Sequence, residues 1–159
     1  MFAWFERLVD PYPETLPATP PRGLLRFAWA GTTGLRRYIG AMTLLTGLIG
    51  AFEALLFGFL GRIVDWLGAT RPERLWTEQG GTLALLAVVL LASPLAVAAQ
   101  TMLKHQTLAG NFPMRLRWNF HRLMLGQSMA FYQDEFAGRV AAKVMQTALA
   151  VRDTLFVLA

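Results

Sequence analysis

Residues 39–60 read IGAMTLLTGLIGAFEALLFGFL, and residues 82–99 read TLALLAVVLLASPLAVAA. A hydrocarbon core about 30 Å thick is crossed by ~20 apolar residues in a helix. Both stretches meet or approach that length, neither contains Lys or Arg, and the single acidic residue in them is Glu53. Two such stretches in one short chain predict an all-α integral membrane protein rather than a soluble one. The competing reading is a soluble α-bundle with two buried helices. It has to explain two apolar runs of a kind that is rare in soluble cores.

Composition points the same way. Of 159 residues, 55% are hydrophobic and 16% are charged, which is too little charge for an ordinary solvated surface. Cysteine is absent, which excludes disulfides, thiolate nucleophiles and thiolate metal sites. The net charge of +5 would suit nucleic acid, but in a membrane chain Lys and Arg gather on the cytoplasmic side. Arg7, Arg22, Arg26, Arg36 and Arg37 precede the first stretch, and Lys104, Arg115, Arg117, Arg122, Arg139, Lys143 and Arg152 follow the second. Between the stretches, Arg62, Arg71 and Arg74 are offset by Asp65, Glu73 and Glu78. The N-terminus and the segment after residue 100 are therefore expected in the cytoplasm, with loop 61–81 on the other side. Met1 to Asp10 is not a signal peptide, because it is short, contains Glu6 and lacks a small-residue cleavage site.

Along the chain, Phe2, Phe5, Leu8 and Val9 oppose Glu6 and Arg7, as a short interfacial helix requires. Pro11, Pro13, Pro17, Pro20 and Pro21 follow and predict an extended linker, closing a segment 1–21. Arg22 to Arg37 is an amphipathic approach to the membrane, with Leu24, Leu25, Phe27 and Trp29 against its arginines and a bend at Gly31 and Gly34.

In the first span, Thr43, Thr46, Gly47, Gly50, Glu53 and Ala54 share one helical face. Small residues there permit close helix packing. Glu53 has two readings: it lines a translocation path or binds a cation, or it is a protonated or hydrogen-bonded packing residue. Pro94 frees a carbonyl one turn earlier in the second span and can kink it. From Gln100 the helix turns polar, with Leu116, Phe120, Leu123 and Met124 opposite Arg115, Asn119 and Arg122. Pro113 is expected to kink this extension, and Gly126 with Gln133–Gly138 to break and turn it. Helix resumes near Arg139, and Thr147 to Ala159 opens a third apolar helix, expected as the start of a third span.

No catalytic chemistry is visible. Lys104 and Lys143 are the only lysines and neither follows a glycine, so there is no phosphate-cradling loop. His105 and His121 have no carboxylate at metal-ligand spacing. Ser93 and Ser128 lack a base and a nucleophile-elbow pattern. Trp118 and Phe120 among arginines imitate a nucleic-acid patch, but a cytoplasmic helix extension explains them better.

Residues 114–153 read MRLRWNFHRLMLGQSMAFYQDEFAGRVAAKVMQTALAVRD. This resembles the first intracellular loop of ABC exporters, transporters with six membrane helices per subunit. The resemblance rests on Leu116-Arg117 with His121-Arg122-Leu123, the aromatic pair Phe131-Tyr132, Gly138 after the turn, and Arg152-Asp153. Leu60-Gly61-Arg62-Ile63-Val64-Asp65 is similar to the end of that family's first membrane helix, and residues 22–37 to its elbow helix. The chain departs from the family at Ala142-Lys143 and Thr147, where a Ser-Arg pair and an Asp are usual.

The resemblance covers most of residues 22–159 and implies a partial exporter membrane domain: elbow helix, spans near 39–60 and 82–99, an intracellular loop over about 100–146, and a third span from about 147. It implies that Phe131, Tyr132, Gln133, Asp134, Glu135, Phe136, Gly138 and Arg139 form or flank a coupling helix. That helix would dock on a nucleotide-binding domain in the same polypeptide or a partner subunit. Thr46, Gly50 and Glu53 would face the cavity. A second membrane domain would complete a homo- or heterodimer in what we expect is a bacterial inner membrane. ATP and Mg would serve the full transporter, while these residues bind no cofactor. A different class remains open: a small membrane scaffold or assembly protein whose helical extension binds a cytoplasmic partner.

Overall fold

The computed structural model describes residues 3–15, 17–69, 72–134 and 137–158, which are helices joined by turns, bends and irregular segments, with no strand among them. The helices are α1 (Ala3–Glu6), α2 (Leu24–Gly31), α3 (Arg36–Ala69), α4 (Pro72–Met102), α5 (Asn111–Leu125), α6 (Met129–Asp134) and α7 (Ala137–Leu158), with a π-helical segment Leu103–Leu108 between α4 and α5. The chain divides into two compact units, Met1–Ala41 with Met102–Ala159, and Met42–Thr101.

The unit Met42–Thr101 holds most of α3 and α4. The 34 residues of α3 rise about 51 Å, well beyond the ~30 Å of a bilayer core. The loop expected over 61–81 is mostly helical. The polar turns with Arg62 and Asp65 continue α3, and Pro72 opens α4, where its missing N–H is no loss. Arg71 and the side chains of Glu73, Arg74 and Glu78 lie outside the described residues, as do Met1, Phe2 and Ala159. Helix α4 runs through Pro94.

Two helical runs, Arg36–Trp66 and Gln79–Leu125, are long and apolar enough to cross a membrane. In their most apolar windows only 6% and 11% of residues are buried. Core helices of a soluble bundle would be mostly buried. Here Leu44, Leu55, Phe57, Leu85, Leu91 and Leu95 all face outward. Leaving such side chains in water forgoes about 1.5–3 kcal/mol each, so these faces are suited to lipid or to further apolar helices.

The other unit has a true core. Leu35, Leu108, Phe112 and Ala148 are fully buried, joined by Thr32 and Thr107. Helices α5 and α7 form an antiparallel hairpin: Arg152 reaches Ala109, while Met124 and Ala141 line one groove.

The irregularity expected at Pro113 falls just before it. The Ala109 N–H donates five residues back to the Lys104 carbonyl at 2.8 Å, a π-type bond. Pro113 has no N–H for the Ala109 carbonyl, and the Arg152 guanidinium donates to that oxygen instead, at 3.5 Å. The bend between α2 and α3 is the turn Thr32–Leu35, with Gly34 at φ +82°. A side chain on Gly34 would lie 2.7 Å from the Arg115 guanidinium. Backbone conformation and close approach both require glycine there.

The proline-rich stretch expected to be extended bends at residues 11–12 and 14–15, and residues 3–15 lie along the π segment and α5. Thr107, Asn111, Arg115, Trp118 and Arg122 donate hydrogen bonds to its carbonyls.

Candidate functional site

On α3, Thr46, Gly50 and Glu53 recur at helical spacing and all three are exposed. Glu53 has no hydrogen-bond or ion-pair partner among the described residues. Thr46 donates its hydroxyl to the Met42 carbonyl at 2.9 Å and accepts the side-chain amide of Gln100 at 2.8 Å. Gln100 is thus a polar partner that links α3 to α4 in the unit Met42–Thr101. Its place at the end of an apolar run was the only sequence signal for it.

A second cluster lies at the turn of the α5–α7 hairpin. Leu125 and Met129 are exposed, and Phe131 and Tyr132 keep 37% and 38% of their surface open. The two rings meet edge to face at 5.3 Å, and the Tyr132 hydroxyl donates to the Met124 carbonyl. That bond ties α6 back to the end of α5 and holds the aromatic pair outward. Gln133, Gly138 and Arg139 are exposed nearby. Glu135, Phe136 and the side chain of Asp134 lie outside the described residues. The exposed cluster is chemically suited to docking, since aromatic anchors dominate small protein interfaces. Among the described residues it holds no nucleophile–base pair.

Helix α2 presents Leu24, Leu25 and Trp29 outward, and no residue of it is buried. It is fastened by Phe27, stacked on Phe120 at 6.0 Å, and by Arg36, which lies over the Trp29 ring at 4.5 Å. Leu24 and Leu25 are left uncovered by the described residues, while the arginines of this segment flank them in sequence.

The basic face of α5 has a different task from the one its charge suggests. Arg115 and Arg122, with Trp118, are committed to carbonyls of residues 10–15. Sequence reasoning identified the arginines and missed the backbone that they hold. His105 and His121 are both exposed, and no three His, Asp or Glu among the described residues group as a metal site.

The chain is 57% identical over all of its 159 residues to a Haemophilus influenzae protein described as an uncharacterized ABC transporter ATP-binding protein. It spans 26% of that relative's length. No family model and no solved structure matches it.

Proposed function

We infer that this chain supplies the first part of the membrane-spanning domain of an ATP-driven ABC transporter. The observation that carries this is the pairing of two outward-facing apolar helices with similarity, along the whole chain, to part of an ABC transporter ATP-binding protein. The resemblance of residues 22–159 to exporters makes a lipid, drug or other amphipathic molecule the substrate class, moved outward across a bacterial inner membrane.

In this reading α2 is the elbow helix, its leucines and Trp29 in the headgroup boundary and the N-terminus cytoplasmic. The Phe131–Arg139 region is the coupling element that receives a nucleotide-binding domain. A second membrane domain, from a like or unlike subunit, completes the path. Thr46, Gly50 and Glu53 then face the cavity. An ionisable side chain on an apolar span normally faces partner helices or water, and Glu53 is unpartnered within its own unit. ATP and Mg act in the nucleotide-binding domain, since these residues contain no glycine-rich loop followed by Lys.

Transport by rocking helices requires contacts that differ between two states. The test is Phe131→Ala with Tyr132→Ala in the full-length protein in proteoliposomes. Basal ATP hydrolysis should persist while transport falls at least tenfold. Transport that keeps pace with hydrolysis would count against the docking role. A full-length protein without ATPase activity or ATP-dependent transport would overturn the reading.

A further inference from the structure

We propose that the helix face carrying Thr107, Asn111, Arg115, Trp118 and Arg122 is a receptor for the carbonyls of an irregular, proline-punctuated backbone, and that residues 5–15 of this chain, from the end of α1 through the bends that follow, are its ligand, a strap held in cis by its own carbonyls.

The five residues are spaced four, four, three and four apart, so they form one line along the helix. Their acceptors follow in the same order. Thr107 donates to the Phe5 carbonyl at 3.1 Å, Asn111 to Glu6 at 2.9 Å and Arg115 to Asp10 at 3.1 Å. The Trp118 indole donates to Pro13 at 3.2 Å, and Arg122 gathers the carbonyls of Pro13, Glu14 and Thr15. Residue numbers rise together on both sides, so the strap runs parallel to the helix.

The chemistry of the two sides is matched. Arg and the Trp indole are donor-only groups. A backbone containing Pro11 and Pro13 lacks N–H groups at those positions and offers carbonyls instead. Proline also pre-sets φ, which lowers the entropic cost of ordering the segment. An aromatic residue presented to a proline-rich segment is a recurring way of recognising such chains. Here the Tyr12 ring of the strap meets Trp118 edge-on at 5.4 Å.

The strap is held from its other side as well. Tyr38, near the start of α3, donates its hydroxyl to the Leu8 carbonyl at 2.6 Å, and Val9 is buried. Residues 5–15 therefore tie the α2–α3 entry to the α5–α7 hairpin within one unit. None of the bonds reads a side chain of Pro13, Glu14 or Thr15. The receptor recognises backbone, and substitutions that keep the path of the strap should be tolerated.

The experiment is limited trypsin digestion of the full-length protein in detergent, with cleavage after Arg7 followed by mass spectrometry. A synthetic peptide of residues 1–21 is the unbound reference. Cleavage in the protein should be at least about tenfold slower than in the peptide. Trp118→Phe and Arg122→Met, singly and together, should each accelerate it, the pair by about tenfold or more. Glu14→Gln should leave it within about twofold, because only the Glu14 carbonyl is used. Equal rates in protein and peptide overturn the strap. Protection that survives loss of both Trp118 and Arg122 overturns the receptor, and a Glu14→Gln effect as large as theirs overturns backbone recognition. If the double variant fails to fold, the wild-type comparison with the peptide and the single variants still decide.

Discussion

The side-chain amide of Gln100 donates to the hydroxyl of Thr46 at 2.8 Å, so a hydrogen bond joins two largely apolar helices. Thr46 keeps its own bond to the Met42 carbonyl. Away from water such a contact has few competitors, yet interhelical hydrogen bonds of this kind are worth only about 0.6 kcal/mol on average and about 1.7 at most. Gln100→Leu should therefore destabilise the full-length protein by about 0.5–1.5 kcal/mol. Thr46→Val should cost a similar amount, and the double variant little more than either. Reversible unfolding in mixed micelles checks this, and additive losses would show that the pair does not act as a unit.

Arg152 stands in for the N–H that Pro113 lacks. Its guanidinium reaches the Ala109 carbonyl at the long distance of 3.5 Å, and its other arm pairs with Asp153 at 2.7 Å. Arg152→Met should cost about 1 kcal/mol. In a Pro113→Ala background, where residue 113 can itself donate to Ala109, the same change should cost less. A double-mutant cycle from thermal melts measures the difference, and an unchanged cost would assign the value of Arg152 to its other contacts.

Gly34 and Gly47 should respond oppositely to alanine. At Gly34 a Cβ would sit 2.7 Å from the Arg115 guanidinium on a backbone with φ +82°, whereas nothing lies within 4 Å of one at Gly47. Gly34→Ala should destabilise by about 1–3 kcal/mol through strain and displacement of Arg115. Gly47→Ala should be neutral or stabilise by up to about 1 kcal/mol through helix propensity. Melting temperatures of the two variants decide. Equal shifts would mean that Gly47 packs against a segment beyond these residues.

Glu53 is the strongest candidate for a residue read by cargo. Under the transport reading, Glu53→Gln should lower substrate-stimulated ATPase several-fold and leave the fold and basal hydrolysis intact. Unchanged stimulation in a normally folded variant would remove Glu53 from the cavity.

How much of this was legible in the sequence depends on the range of the interaction. Apolar run length and the absence of Lys and Arg from residues 39–60 and 82–99 are local properties, and they alone determined an all-helical chain with two helices of spanning length. The bend near Gly31 and Gly34 was equally local. Tertiary structure decided the rest. Arg115 and Arg122 read only as the basic face of a cytoplasmic helix extension because their partners are carbonyls some 105 residues earlier, and a backbone acceptor leaves no mark in composition. Gln100 gained its meaning from Thr46, 54 residues away. Pro113 announced a lost bond, but only the packing of α7 on α5 showed that Arg152 answers it. Hydrophobic length is written residue by residue along a chain, whereas the pairing of a donor with a distant carbonyl exists only after the chain has folded back on itself.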